Sequence, residues 1–365
     1  MTAPVLPPME VGLRLNRLRA GFDDAGCGAL LVTSATNIGY LTGFTGSAGV
    51  LWVDTDRAVL VTDGRYTDQA PGEVAAAGAD VEVEIAVTGR QKLLAGFATE
   101  VTDLGLETDT VTWAEQRRFA GWFADTSLTA TDGLVETLRQ IKDAGELARI
   151  KAAAAIADEA LAEVWPMLDT GPTERQVASA IDDAMRRRGA SDRAFETIVA
   201  AGPNSAHPHA RPGDRTLTHG DLVVCDLGAM VDGYRSDMTR STRIGGTGDG
   251  PEAEMLTTVL AAQQAGIEAV VDGVAASAVD MACRQILEEA GLGDAFIHGT
   301  GHGVGLDIHE APALSGTSTA TLRCGQVVTV EPGAYITGLG GVRWEDTVVV
   351  GSGGCQRLTR SPSTT

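Results

Sequence analysis

Along the first third of the chain, apolar positions recur with two alternating rhythms. From Val11 to Phe22 they fall at helical spacing. Short β-rich runs follow at Ala29 to Val32, Gly49 to Val53, Ala58 to Val61 and Val81 to Ile85. Helical patterns such as Gln91 to Thr99 lie among them, so the spacing predicts a small α/β domain. The rhythm changes around Thr131 to Gly145. A long helix is expected over Glu146 to Leu168, then a second that opens at the capping-box pair Thr173 and Gln176 and ends near Gly189. The boundary is therefore expected near residue 135, giving domains 1–135 and 136–365.

Beyond that point the pattern predicts strands at Thr197 to Ala201, Leu222 to Leu227, Tyr234 to Thr242, Gln326 to Tyr335 and Val342 to Val350. Helices are expected at Glu252 to Val271 and Ser277 to Ala290. Asp232-Gly233 is a hairpin-turn pair, so Asp226 and Asp237 are expected to face each other across adjacent antiparallel strands. Glu331 and Glu345 form a second such pair, with Gly338 to Gly341 at the turn. The expected class is α+β, with helices covering an antiparallel sheet whose inner face collects acids.

Composition narrows the choices. With 365 residues, 44% of them hydrophobic, the chain can bury ample cores. A formal net charge of −21 disfavours nucleic acid and anionic membrane surfaces, both of which call for a basic face. The five cysteines, at 27, 225, 283, 324 and 355, are scattered, never form CxxC and read as reduced thiols. No apolar run reaches the length of a signal peptide core or a membrane span. The expected location is cytoplasmic.

The candidate chemistry centres on Ala295 to Glu310, AFIHGTGHGVGLDIHE, which holds three of the six histidines: His298, His302 and His309. Four carboxylates complete the set: Asp226, Asp237, Glu331 and Glu345, mostly within Val/Leu-rich strands. A buried carboxylate needs a cation. Arg235, Arg240 and Arg343 are the nearby bases and cannot neutralise all four acids. Structural ion pairs remain one reading. The other is a pair of bound divalent ions, because oxygen-rich sites with one imidazole suit Mn, Co, Fe or Zn. The glycine run GTGHGVG is not a dinucleotide loop, since no clear helix follows it. Cys225 is expected to point away from the face that Asp226 uses. His219 reads as surface and His207 is ambiguous, whereas His209, in NSAHPHA, is the better site candidate.

Taken together, His298-Gly-Thr-Gly-His302-Gly-Val-Gly-Leu-Asp-Ile-His309-Glu310 resembles the Xaa-Pro peptidases, the aminopeptidase P and prolidase group related to methionine aminopeptidase and creatinase. LTGFTGS, TDGRYTDQA, QIKDAGELARIKAAAAIADEAL, NSAHPHARPGD, VVCDLGAMVDGYRSDMTRS, TVEPGAY and GGVRWEDT follow in that family's order, so the resemblance spans nearly the whole chain. It implies a creatinase-like α/β N-terminal domain and a C-terminal pita-bread fold.

The resemblance also implies five metal ligands, Asp226, Asp237, His302, Glu331 and Glu345, holding two divalent ions. Manganese is the first expectation, with Co, Zn or Fe as alternatives, and Asp237 and Glu345 would be shared by both ions. His209 and His309 match substrate-contacting histidines near the leaving nitrogen and the scissile carbonyl. His298 matches one beside the proline pocket, and Arg343 the arginine preceding the last ligand. Trp344 and His207 depart from the family's usual residues without touching the ligand set. The implied reaction is hydrolysis of the Xaa–Pro bond in dipeptides or at peptide N termini, with Glu331 shuttling the proton and His309 stabilising the oxyanion. Short proline-containing peptides and a homodimer are the implied partners. Three rivals share the fold: methionine aminopeptidase, metal-free creatinase, and a non-catalytic binding module.

Overall fold

A computed structural model describes residues 6–246 and 248–361. The chain falls into two compact units, one from Pro7 to Arg139 and one running from Gln140 onward. In the first, six strands form one mixed sheet: β1 (Ala29–Val32), β2 (Val50–Asp54), β3 (Ala58–Thr62), β4 (Glu82–Ile85), β5 (Asp103–Glu107) and β6 (Ser127–Thr131). Their order is β4-β3-β2-β1-β5-β6. The pairings β1–β2 and β2–β3 are antiparallel, and the others are parallel.

The continuous helix expected from Val11 to Phe22 is broken. It runs as a 3-10 turn at Val11–Leu13, α1 (Arg14–Arg19) and α2 (Phe22–Ala25). The interruption falls at Ala20-Gly21, where glycine gives the helix no propensity to continue. Also in this unit are α3 (Ala35–Thr42), α4 (Gln69–Ala77), α5 (Arg90–Ala98), α6 (Trp113–Trp122) and α7 (Leu134–Arg139). Strand β6 lies at a sheet edge with only Thr131 buried, so its alternation is too faint to read from sequence.

In the second unit, α8 (Ala144–Val164) and α9 (Glu174–Arg187) open with complete capping boxes, Asp143/Glu146 and Thr173/Gln176. Their apolar faces bury Ala157, Leu161, Val177 and Ile181 against Val199, Val223, Cys225 and Leu227. Those partners come from β8 (Ile198–Ala201) and β9 (Leu222–Leu227), which follow the short β7 (Asp192–Arg193). Cys225 therefore faces the helices, and burial pushes its thiol up to about 12. Next come β10 (Ala229–Val231), β11 (Tyr234–Arg235) and β12 (Met238–Arg243).

A second helix pair, α10 (Pro251–Ala269) and α11 (Ala276–Glu289), buries Val259, Ile267, Val279 and Leu287 against Val328, Val330, Val342 and Val348. The strands beneath it are β13 (Gly301–Gly303), β14 (Glu310–Leu314), β15 (Val327–Val330), β16 (Gly333–Ile336), β17 (Gly340–Arg343), β18 (Asp346–Gly351) and β19 (Gly354–Arg357). Each helix pair thus covers its own antiparallel sheets. All five cysteines are unpaired, and among the described residues no helix is long and apolar enough to cross a membrane.

Both acid-bearing hairpins keep one register through a local break. Leu227 pairs with Met238, and Met230 with Arg235, so Gly228 and Asp237 occupy the gap between two correctly aligned ladders. At Asp232-Gly233 both residues have positive φ, 49° and 83°, as the predicted hairpin turn requires. Gly228 is essential to this break. A Cβ there would lie 2.0 Å from the Ser236 carbonyl oxygen, which the backbone holds in place. Gly228→Ala is expected to lower stability by about 3 kcal/mol, read as a lower midpoint in thermal unfolding. An unchanged midpoint would show that the gap relaxes freely.

Candidate metal centre

Each hairpin delivers two acids to the same cavity, but not in the same way. Asp226 sits opposite Thr239 in the β9–β12 register, and Asp237 lies two residues earlier in the chain, just before β12 begins. The aspartates therefore share a face diagonally rather than facing each other directly, because parity fixes the side and register fixes the offset. Glu331 and Glu345 behave differently. Val330 pairs with Asp346 and Gly333 with Arg343, so the two glutamates fall opposite each other at the junction of two ladders. Neither gives its amide to the other. Glu331 N–H donates to Thr300 O (2.7 Å) and Glu345 N–H to Thr239 O (3.2 Å), which stitches the two halves of the unit together behind the acids.

The resulting cavity, of about 620 Å³, is lined by all nine residues proposed from the sequence: Asp226, Asp237, Glu331, Glu345, Arg343, His302, His298, His209 and His309. Asp226, Asp237, Glu345 and Arg343 are buried, between 1% and 8% exposed. His302, His298 and Glu331 are half-buried, while His209 and His309 stand exposed at the mouth. One guanidinium serves the acids directly: Arg343 Nη2 donates to Asp226 Oδ2 at 2.6 Å, and its Nε to Thr239 Oγ1 at 3.1 Å. Thr239 in turn donates to Glu345 Oε2 at 2.7 Å. Arg343 also reaches the Tyr335 hydroxyl (2.8 Å), which meets His298 Nε2 at 3.0 Å.

Tyr335 and Thr239 are site residues that the sequence reading missed. Strand parity carried a signal for both. Residues 331, 333 and 335 share one face, and Thr239 shares the face of Asp237.

The charge balance is incomplete. Burial is the main force pushing Asp237 and Glu345 well above the ordinary carboxylate range, and the neighbouring acids add to it. Asp226 is raised by burial too, against the opposing pull of Arg343. Two buried oxygens, Asp226 Oδ1 and Glu345 Oε1, have no hydrogen-bond donor among the described residues.

The imidazole of His302 sharpens the point. Its Nδ1 donates to Gly303 O at 3.0 Å, so a neutral ring turns the Nε2 lone pair toward Glu331 Oε1 (3.2 Å) and Asp237 Oδ2 (3.6 Å). A lone pair facing carboxylates needs a proton or a metal cation between them. Burial pushes the His302 pKa down, but contact with Glu331 outweighs burial and raises it. Burial likewise pushes Glu331 up, and its bond to His302 overrides this and holds it down to about 2. Ligand atoms of Asp237, His302 and Glu345 all lie within 4.8 Å of one another. Orphaned acceptors, excess negative charge and an inward imidazole nitrogen are a donor set that suits a divalent cation.

Comparison with known proteins fits this chemistry. Residues 148–352 match the family described as Metallopeptidase family M24, and residues 14–141 match the Creatinase/Prolidase N-terminal domain. The chain belongs to metallopeptidase family M24.

Within this family it is similar to an uncharacterized peptidase of Bacillus subtilis, 37% identical over 96% of this chain and 98% of the relative. It is also similar to the solved Xaa-Pro dipeptidase from Bacillus anthracis: 36% identity, TM-score 0.92, covering 97% of this chain and 99% of that one. An X-Pro aminopeptidase from Thermotoga maritima gives 34% identity and a TM-score of 0.85 over 94% and 99% of the two chains. The M24 chain therefore has the two-domain architecture of these enzymes: an α/β creatinase-like domain and a pita-bread domain of antiparallel sheets and helices.

Divalent metal should stabilise the M24 protein by mass action, by about 2.7 kcal/mol at a hundredfold excess over Kd. Asp237→Asn is expected to abolish that gain while raising the melting temperature of the metal-free protein, since it removes one of several crowded buried charges. Calorimetric melts with and without Mn²⁺ check both halves. A metal response that survives the substitution would remove Asp237 from the ligand set.

Proposed function

We propose that this M24 chain is a two-metal hydrolase that cleaves the bond between any residue and proline, in dipeptides or at the N termini of short peptides. The observation that carries the reading is the acid cluster: four carboxylates line one cavity with His302, whose Nε2 faces Glu331 and Asp237, and two of the carboxylate oxygens have no donor among the described residues. Asp226, Asp237, His302, Glu331 and Glu345 would hold the two divalent ions, with manganese the first expectation. Bound there, such ions lower the pKa of water and polarise a peptide carbonyl.

The remaining work falls to the chain itself. Glu331 is the base in this reading. It is half-buried, and Thr329 Oγ1 donates to its Oε1 at 3.2 Å, which holds the carboxylate toward the cavity. From there it takes a proton from water and returns it to the leaving nitrogen. His309 packs edge-on against His302, with ring centroids 4.3 Å apart, and stays exposed at the mouth. That position suits a donor to the oxygen that gains charge during attack. His209, also at the mouth, is assigned to the substrate near the leaving nitrogen.

His298 lines the cavity and is held in place by Phe296 (5.1 Å) and Tyr335 (5.5 Å), so its ring is assigned to the side of the pyrrolidine pocket. Arg343 is consumed by Asp226, Thr239 and Tyr335, so its role is to hold the acids. Proline makes chemical sense as the recognised residue. Its nitrogen carries no hydrogen and its φ is fixed, so a site need offer it shape rather than an acceptor.

Two measurements test the reading. Manganese-loaded protein is expected to hydrolyse Ala-Pro, Ala-Pro-Ala or both, the first pattern marking a dipeptidase and the second an aminopeptidase. Inactivity on both, with metal bound, would favour a non-catalytic binding module. Glu331→Ala and Asp237→Ala should each lower kcat by at least about 10²- to 10⁴-fold while leaving the circular dichroism spectrum unchanged. Full activity in either is incompatible with the assignment.

A further inference from the structure

The end of the described chain is tied to the back of the acid cluster through one arginine. Arg240 lies on β12 and is 2% exposed. Its Nη1 donates to two backbone carbonyls, Glu345 O at 2.5 Å and Thr239 O at 2.9 Å. Those carbonyls belong to the glutamate in the cavity and to the threonine whose hydroxyl holds that glutamate's carboxylate. The same guanidinium lies 5.1 Å from the Trp344 ring centroid and reaches Asp346 Oδ1 at 2.7 Å through Nη2. It therefore bridges β12 and the Trp344–Asp346 segment at the place where Glu345 leaves the sheet ladder. A planar five-donor fork does this; a lysine ammonium could not span the same acceptors in one plane.

The other side of the fork is held by the C-terminal segment. Arg240 Nε and Nη2 both donate to Ser361 O, at 3.0 and 2.9 Å. Ser361 is itself fixed by Asp158 on α8. One carboxylate accepts Arg360 N–H (2.7 Å), Ser361 N–H (2.7 Å) and Ser361 Oγ–H (2.8 Å). Thr359 adds a parallel tie, donating to Asp346 Oδ1 at 2.7 Å. Asp158 interrupts an alanine-rich helix, where a surface charge would be the ordinary expectation. Three donors from a segment some 200 positions away give it a different role.

We propose that Asp158, the Leu358–Ser361 segment and Arg240 form a strap that positions Glu345 for metal. Asp158 fixes Ser361, Ser361 completes the hydrogen bonding of Arg240, and Arg240 fixes the backbones of Glu345 and Thr239. None of these groups touches the cavity's reacting atoms, so each is a positioning residue. The inference rests on the reading of Glu345 as a metal ligand.

The test uses the full chain and two variants at opposite ends of the strap, Arg240→Lys and Asp158→Ala. The second leaves the buried core untouched and so guards against loss of folding in the first. Mn²⁺ binding to metal-free protein is titrated by calorimetry, and kcat and KM are measured separately. Both variants are expected to bind Mn²⁺ about tenfold more weakly and to lose kcat with KM unchanged. A strap that is merely structural would shift the melting temperature and leave the metal isotherm alone. Isotherms matching the unaltered protein in both variants would overturn the proposal. Absence of Mn²⁺ binding by the unaltered protein would overturn the ligand reading and the strap together.

Discussion

Four carboxylates share one cavity in the second unit, and the Arg343 guanidinium bonds directly to one of them, Asp226. Burying like charges is costly enough that proteins avoid it unless something compensates. Much of the local architecture answers this constraint. Asp226 lies within the β9–β12 ladder, Asp237 just beyond its end, and the two glutamates at the end of the β15–β18 ladder, where their amides pair with Thr300 and Thr239 instead of with each other. Thr239 and Thr329 cap two of the acids with single hydroxyl donors, and the Gly303 carbonyl fixes the tautomer of His302. These devices orient the acids without neutralising them. The remaining negative charge is of the kind that suits divalent cations.

The division of labour around the cavity follows from burial. Groups that would hold metal sit on or beside strands, locked by two helix pairs packed on their outer faces. Groups that would handle substrate, His209 and His309, lie on the exposed mouth. A rigid floor with a more accessible rim keeps ligand geometry independent of what enters. The strap from Asp158 through Ser361 to Arg240 extends the same logic outward, since it secures the floor from the side remote from substrate. Membership in family M24, with similarity to both an Xaa-Pro dipeptidase and an X-Pro aminopeptidase, sets this floor in a familiar chemistry.

Legibility in the sequence followed the strength of local signals. The helices α8 and α9 were readable because their capping boxes and apolar stripes act within a few residues. The Asp232-Gly233 turn was readable because only a few residue types tolerate two consecutive positive φ values. Strand β6 and the break in the first helix were not, because edge position and a single glycine leave faint periodic traces. Tyr335 and Thr239 escaped notice for another reason: nothing in a tyrosine or threonine marks it as part of a site until strand parity is followed through.

The sequence by itself determined the residue inventory: which acids lie in apolar strands, which histidines lie among glycines, and in what family order the blocks run. Those features depend on neighbours a few positions apart, and the chemistry of buried charge makes them conspicuous. Tertiary structure alone decided the pairings. Asp226 answers to Thr239 and Arg343, Glu331 to His302, and Glu345 to Arg240 through its backbone. Such contacts join residues up to about 120 positions apart, and register between ladders sets them by whole-residue steps that no local pattern records. The strap is the extreme case. Asp158 reads as an ordinary charge on a helix, and only folding brings the chain's far end to it.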